Sequence, residues 1–188
     1  VNDEPASHGS EAGGAATEPA RRLFRYLERT LIALPIDVRL ALSHPRIPGA
    51  RFHGGVLLPC VDGRADTVFF DIAYWIIGVP ADRLDWTFDL IVRGWSEAGW
   101  PVDVGRLSRP RAAFARTSDG FGLAVRQSVD GDLSLAGSTP PFFPGTGVEF
   151  AFPETIVHPG AGMDEPYSVS SADAPAEAPT PWTRPESP

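Results

Sequence analysis

The side chains able to do chemistry are few and scattered. The four histidines, His8, His44, His53 and His158, fall in terminal or Pro/Gly-rich stretches. No two share the H-x-H or H-E-x-x-H spacing that brings two imidazoles to one metal ion. They read as free surface side chains rather than ligands or bases. Cys60 is the only cysteine, which excludes an internal disulfide and any cysteine-cluster metal site. A thiolate beside a base makes a nucleophile, and His53 is the nearest imidazole in sequence. Cys60 follows Pro59 in a short apolar run, which fits a buried, inert thiol better. Gly145-Thr146-Gly147 lacks the strand–loop–helix setting and the lysine of a phosphate loop. No serine-nucleophile elbow is present. The sequence predicts no catalytic residue, no metal site and no cofactor.

Asp71 is the exception of interest. It is the sole charge in the apolar stretch Thr67 to Val79, and alternation puts Phe69, Ala73 and Trp75 on its face. Were that face to line a concave pocket, burial would raise the carboxyl pKa and fit it for acid–base work or ligand binding. The alternative is an exposed carboxylate, or one paired with an arginine. Arg126, on the non-core face of a neighbouring strand, is the candidate partner. Asp71, Trp75 and Arg126 form the candidate ligand-binding set. Trp95 reads as core. Trp86 and Trp100 fall off the helical stripe and fit either a contact patch or the core.

These residues need elements to hold them. Leu23, Leu27, Leu31 and Leu34 recur at helical spacing after Thr17-Glu18-Pro19, and Pro35 ends the run. Val38, Leu40 and Leu42 alternate, which predicts a short edge strand in an otherwise broken Pro/Gly passage. Val68, Phe70, Ile72, Tyr74 and Ile76 share one face of the next strand. With both faces so apolar, this strand should be central and largely covered. A second helix over about 81–98 buries Leu84, Phe88, Ile91, Val92 and Trp95. Residues 102–107 and 112–117 read as one strand interrupted at Arg109-Pro110. Asp119-Gly120 and Asp130-Gly131 mark two turns of a meander. Phe121, Leu123, Val125, Gln127 and Val129 share a face, and Leu133–Ala136 follows. The predicted class is α+β, a curved antiparallel sheet packed on one face by two helices in the order α-β-α-β-β-β. Cystatin-like and nuclear-transport-factor-2-like cones have this form.

The chain has 188 residues, a 43% hydrophobic content and a formal net charge of −8, which fit one domain with a real core. The predicted division is a disordered acidic linker at 1–16, one α+β domain at 17–161, and a disordered Pro/Ala/Ser-rich tail at 162–188. Asp3, Glu4, Glu11 and Glu18 precede the first arginine, and Asp164, Glu165, Asp173, Glu177 and Glu186 face only Arg184 near the other end. The acidity therefore belongs to the ends, and the middle is neutral. No basic footprint points to nucleic acid, and no apolar run reaches the ~18–20 residues of a membrane span. All the basic residues are arginine, which fits GC-rich codon bias or selection for bidentate pairing. Nothing at Val1 resembles a charged n-region and apolar h-region. That leaves a cytoplasmic protein, or one whose targeting segment has been removed.

Several short motifs occur together. Leu57-Leu58-Pro59-Cys60-Val61-Asp62 follows the first helix. Tyr74-Trp75, Gly78-Val79-Pro80, Gly99-Trp100, Asp119-Gly120-Phe121 and Leu133-Ser134-Leu135 come after it, before a Pro-Phe end. Across about 20–143 this pattern is similar to small mycobacterial and other actinobacterial cell-envelope lipoproteins of unassigned function. The resemblance implies an extracytoplasmic, non-catalytic domain with a binding or structural role. Its partner would be an envelope protein or a small ligand. Those proteins end the last strand in Ser-Pro-Cys-Phe, where this chain has Ser138-Thr139-Pro140-Pro141-Phe142. If Cys60 matches their first cysteine, Pro141 stands at the partner position. The resemblance then implies a lost disulfide and a Pro141 close to Cys60.

Overall fold

A computed structural model describes residues 17–60, 66–106, 109–144 and 151–161. The predicted disordered ends, 1–16 and 162–188, and Gly145-Thr146-Gly147 lie outside the described residues. The fold is α+β, with two helices and an open antiparallel sheet of eight strands. Helix α1 (Thr17–Ile32) leads into β1 (Arg39–Ala41), β2 (Val56–Pro59) and β3 (Val68–Ile77). A 3-10 turn at Ala81–Arg83 opens helix α2 (Leu84–Glu97). Then come β4 (Val102–Val104), β5 (Ala112–Arg116), β6 (Gly122–Gln127), β7 (Leu133–Ser138) and β8 (Thr155–Ile156).

The sheet runs β4-β5-β6-β7-β3-β1-β8. β3 is central, as its composition requires. β7 pairs along one side of it, with Asp71 opposite Ser138 and Trp75 opposite Ser134. Two short strands share its other side. β2 pairs with the first half (Val56 opposite Asp71) and β1 with the end (Ala41 opposite Trp75). β1 is no edge strand, because β8 pairs with it from the far side.

One core runs from Ala20 to Ile156. Leu23, Leu27 and Leu31 of α1 are fully buried, and so are Phe88 and Ile91 of α2. They meet Ile72 and Tyr74 of β3, Leu123 and Val125 of β6, and Leu133 and Leu135 of β7. The helical stripes and the even face of β3 were thus correctly located by periodicity. Gly137 shows how closely α1 lies on the sheet. A Cβ there would stand 2.7 Å from Leu23 Cδ1. Trp95 ties the helices together, its Nε1–H donating to Thr30 Oγ1 at 3.0 Å.

Three further expectations need correction. Residues 102–104 and 112–116 are not one interrupted strand. They form a hairpin, Val102 opposite Ala115 and Val104 opposite Ala113, joined through Arg109-Pro110, which is cis. The helices cover only one face of β3; on the other, Ile77 is buried and the β1–β2 passage lies over Trp75. Ile72, Tyr74 and Ile76 are buried, while Phe69, Asp71, Ala73 and Trp75 are half-buried, because both helices contribute to the same core. Val129 does not join the inner face of β6. It is 93% exposed beyond the strand's end, where the Asp130-Gly131 turn has begun. Of the two readings left open for Trp100 and Trp86, Trp100 takes the core at 8% exposure and Trp86 stays at the surface at 45%. Tyr26 meets the Trp100 ring edge-on, and the Arg29 guanidinium lies 5.2 Å from its centroid.

Candidate functional site

The helix-free face of the sheet is built from register. Asp71 on β3, Ser138 on β7, Gly122 on β6 and Arg116 on β5 form one cross-strand row. Ala73, Ala136, Ala124 and Phe114 form the next. Trp75, Ser134, Arg126 and Ala112 form the third. The middle of this face carries small side chains where an exposed sheet ordinarily carries large polar ones. The result is an open depression of about 510 Å³, floored by Gly122, Ala124, Ala136 and Ser138 and bounded by Asp71, Phe114 and Arg126. Gly122 leaves room for the Ser138 hydroxyl, which a Cβ at 2.6 Å would turn aside.

Asp71 and Arg126 both line this depression but do not touch. They stand on strands separated by β7, and their partners on β7 are four residues apart, Ser138 and Ser134. Among the described residues no ion pair reaches either side chain, so the expected Asp71–Arg126 pair is not made. The Arg126 guanidinium instead lies 5.5 Å from the centroid of the Phe114 ring. Burial pushes the Asp71 carboxyl pKa up, and the Arg126 charge across the depression only partly offsets this.

Trp75 shares the face but not the depression. The passage between β1 and β2 folds over it. The Phe52 ring lies 4.8 Å from Trp75, and the His44 ring meets it edge-on at 5.1 Å. The indole N–H is buried without a hydrogen-bond partner among the described residues. His44 is therefore not the free surface side chain its sequence context predicts. Its Nδ1 accepts the Arg46 backbone N–H at 3.2 Å, which places the proton on Nε2, 3.3 Å from Asp132 Oδ1. Arg46 pairs with the same oxygen at 2.8 Å. His53 is exposed and His158 half-buried, its Nδ1 accepting the Gly160 N–H at 3.0 Å.

Cys60 is a half-buried free thiol rather than a buried one. Its backbone N–H donates to Thr67 O, on the β2 side of β3. Val68 pairs with Pro59 on that side and with Phe142 on the other. Pro141 and Cys60 thus lie on opposite flanks of β3, two strand spacings or about 10 Å apart at least. A disulfide needs Cα atoms within ~7 Å. The pairing that the resemblance implies is not one this fold can make.

Of the sequence-predicted set, the fold brings Asp71 and Arg126 to one depression and leaves Trp75 beside it. Phe114, Arg116, Ser138 and the small-residue floor were missed. Their signal was there to read. Gly122 and Ala124 alternate with Leu123 and Val125, and Ala136 and Ser138 follow Leu133 and Leu135. Small residues at outward positions of neighbouring strands are the mark of a concavity. A second, smaller depression of about 290 Å³ lies between α1 and α2, floored by the core side chains Ile91, Trp95 and Trp100. Among the described residues no group of three or more His, Cys, Asp or Glu side chains is placed to hold a metal ion. No helix among them is long and apolar enough to cross a membrane. No family model, curated protein or solved structure matches the chain.

Proposed function

We propose that this chain is a non-catalytic binding domain that takes a small ligand on the helix-free face of its sheet. The observation that carries this is the depression over β3, β7, β6 and β5, whose volume falls within the ~300–1,000 Å³ of small-molecule sites. Its boundary combines an aromatic ring with two charged groups that have no ion-pair partner among the described residues. The lining offers carboxylates, guanidiniums and one hydroxyl, and no hydrogen bond joins Asp71 to a second one of these groups among the described residues, which supports binding over a paired acid–base or nucleophile. An extracytoplasmic setting at the cell envelope is part of the proposal and rests on the motif resemblance alone. The finer fold reading, a cystatin-like or nuclear-transport-factor-2-like cone, rests on two helices sharing one face of an antiparallel sheet.

Amide chemical-shift mapping of the full chain against a mixed library of charged, zwitterionic and neutral small molecules tests the reading. Shifts should cluster at Asp71, Gly122, Ala124, Ala136 and Ser138. Ligands that shift only residues elsewhere, or a library with no binder, would overturn it.

A further inference from the structure

Resting on that reading of the face, we propose that the depression takes a small zwitterion, with an amine held at Asp71, a carboxylate held at Arg126 and an apolar body lying across Ala124 and Ala136. Each charge lacks what the ligand would bring. The Asp71 carboxylate is half withdrawn from water, and among the described residues neither an N–H donor nor a cation reaches it. A carboxylate in that state recovers the most by accepting charge-assisted hydrogen bonds from an ammonium. The Arg126 guanidinium is steadied over the Phe114 ring, and no carboxylate among the described residues approaches it within ion-pair distance. Its edge remains available for a bidentate contact with a carboxylate.

The two groups make no direct ion pair: β7 lies between their strands, their register positions are offset by four residues, and Arg126 acts on Asp71 only across the depression. Their separation therefore sets a span that a ligand must bridge. What lies between is apolar and small. Ala124 and Ala136 are cross-strand neighbours whose methyl groups suit an alkyl chain and offer an extended polar ligand little. A simple cation would neutralise Asp71 and leave Arg126 as it is, and a simple anion the reverse. Only a molecule carrying both charges, spaced by an apolar segment, uses every feature of the depression. Arg116 and Asp103 also line it and are exposed, as Arg126 is; Arg126 is singled out because the Phe114 ring steadies its guanidinium.

Calorimetric titration of the full chain with straight-chain ω-amino carboxylates of increasing length tests this, beside alkylamines and alkyl carboxylates of matched length. Affinity should peak at an intermediate length. There it should exceed either monofunctional analogue by at least about tenfold, the equivalent of ~1.4 kcal/mol. Asp71→Asn should bring the amino carboxylate down to the affinity of the plain carboxylate, and Arg126→Gln down to that of the plain amine. A single cooperative melt of each variant, with Asp71→Asn no lower than the native chain at neutral pH, establishes that both fold. Amide shifts recorded with the same probes separate the two levels of failure. If amines, carboxylates or neutral analogues shift the face as strongly as the amino carboxylates do, the zwitterion is wrong and the face remains a site. If the mixed library of the previous section also leaves the face unshifted, both fall.

Discussion

Asp71 stands where a charge costs the fold something. It is the single acid in β3, half-buried on an open face, and no donor among the described residues compensates it. Burial raises its folded-state pKa, with Arg126 opposing. The sign follows from linkage. Between the ordinary carboxylate pKa and the raised one, the folded state binds more protons than the unfolded. Asp71 therefore adds stability at low pH, and that stability is lost as pH rises through the raised pKa. Asp71→Asn should melt higher than the native chain at neutral pH, and the gap should close as pH falls below the ordinary carboxylate range. Thermal melts across pH 3–8 check this; a variant that melts lower at neutral pH would mean the carboxylate has a stabilising partner. Asp119 behaves oppositely. Burial works against its ionisation, but hydrogen bonds from Thr117 and Tyr26 hold its pKa below the ordinary range. Asp71 was legible in the sequence because alternation isolates it. The cover over Trp75 was not, since His44 and Phe52 arrive from a passage broken by Pro and Gly, and His44 is held there by Asp132, far along the chain.

At the scale of elements, the periodic segments were legible and the short ones were not. α1, α2 and β3 each repeat a pattern long enough to fix the buried face. β4 spans three residues, and its hairpin to β5 turns through a Pro-containing connection with no Asn-Gly or Asp-Gly signal, so nothing local separates a hairpin from a broken strand. β2 reads as apolar, yet all its residues are exposed, because it pairs only with β3 and no helix covers it. Burial therefore grades the cost of core substitutions. Trp95 is 1% exposed and bonded to Thr30, so Trp95→Ala should cost ~3–5 kcal/mol. Phe70 lies on the same inner face of β3 but is half-buried, stacked at 5.0 Å on Phe152, so Phe70→Ala should cost ~1–3 kcal/mol. Denaturant unfolding measures both. Equal losses would mean that the Phe152 segment shields Phe70 as fully as the helices shield Trp95.

At the scale of the molecule, one face of the sheet is committed to the core and the other is divided. The passage between β1 and β2 covers the Trp75 corner, and the depression takes the rest. The pleat thereby separates the core from the depression. Within β3, Ile72, Tyr74 and Ile76 join the core, and Asp71 lines the depression. Substitutions at outward positions can then change the site without touching the core. Ala136→Phe is the sharpest of these, because its ring would lie over the floor while Leu133 and Leu135 stay in place. Amide shift mapping of the native chain and of Ala136→Phe, with the same ligand library, tests the central claim most directly. The native chain should show ligand-induced shifts on β3, β6 and β7, and the variant should lose them while its melting stays within about 0.5 kcal/mol equivalent of native. Ligand shifts that persist undiminished in a folded Ala136→Phe would contradict the assignment of this face as the site.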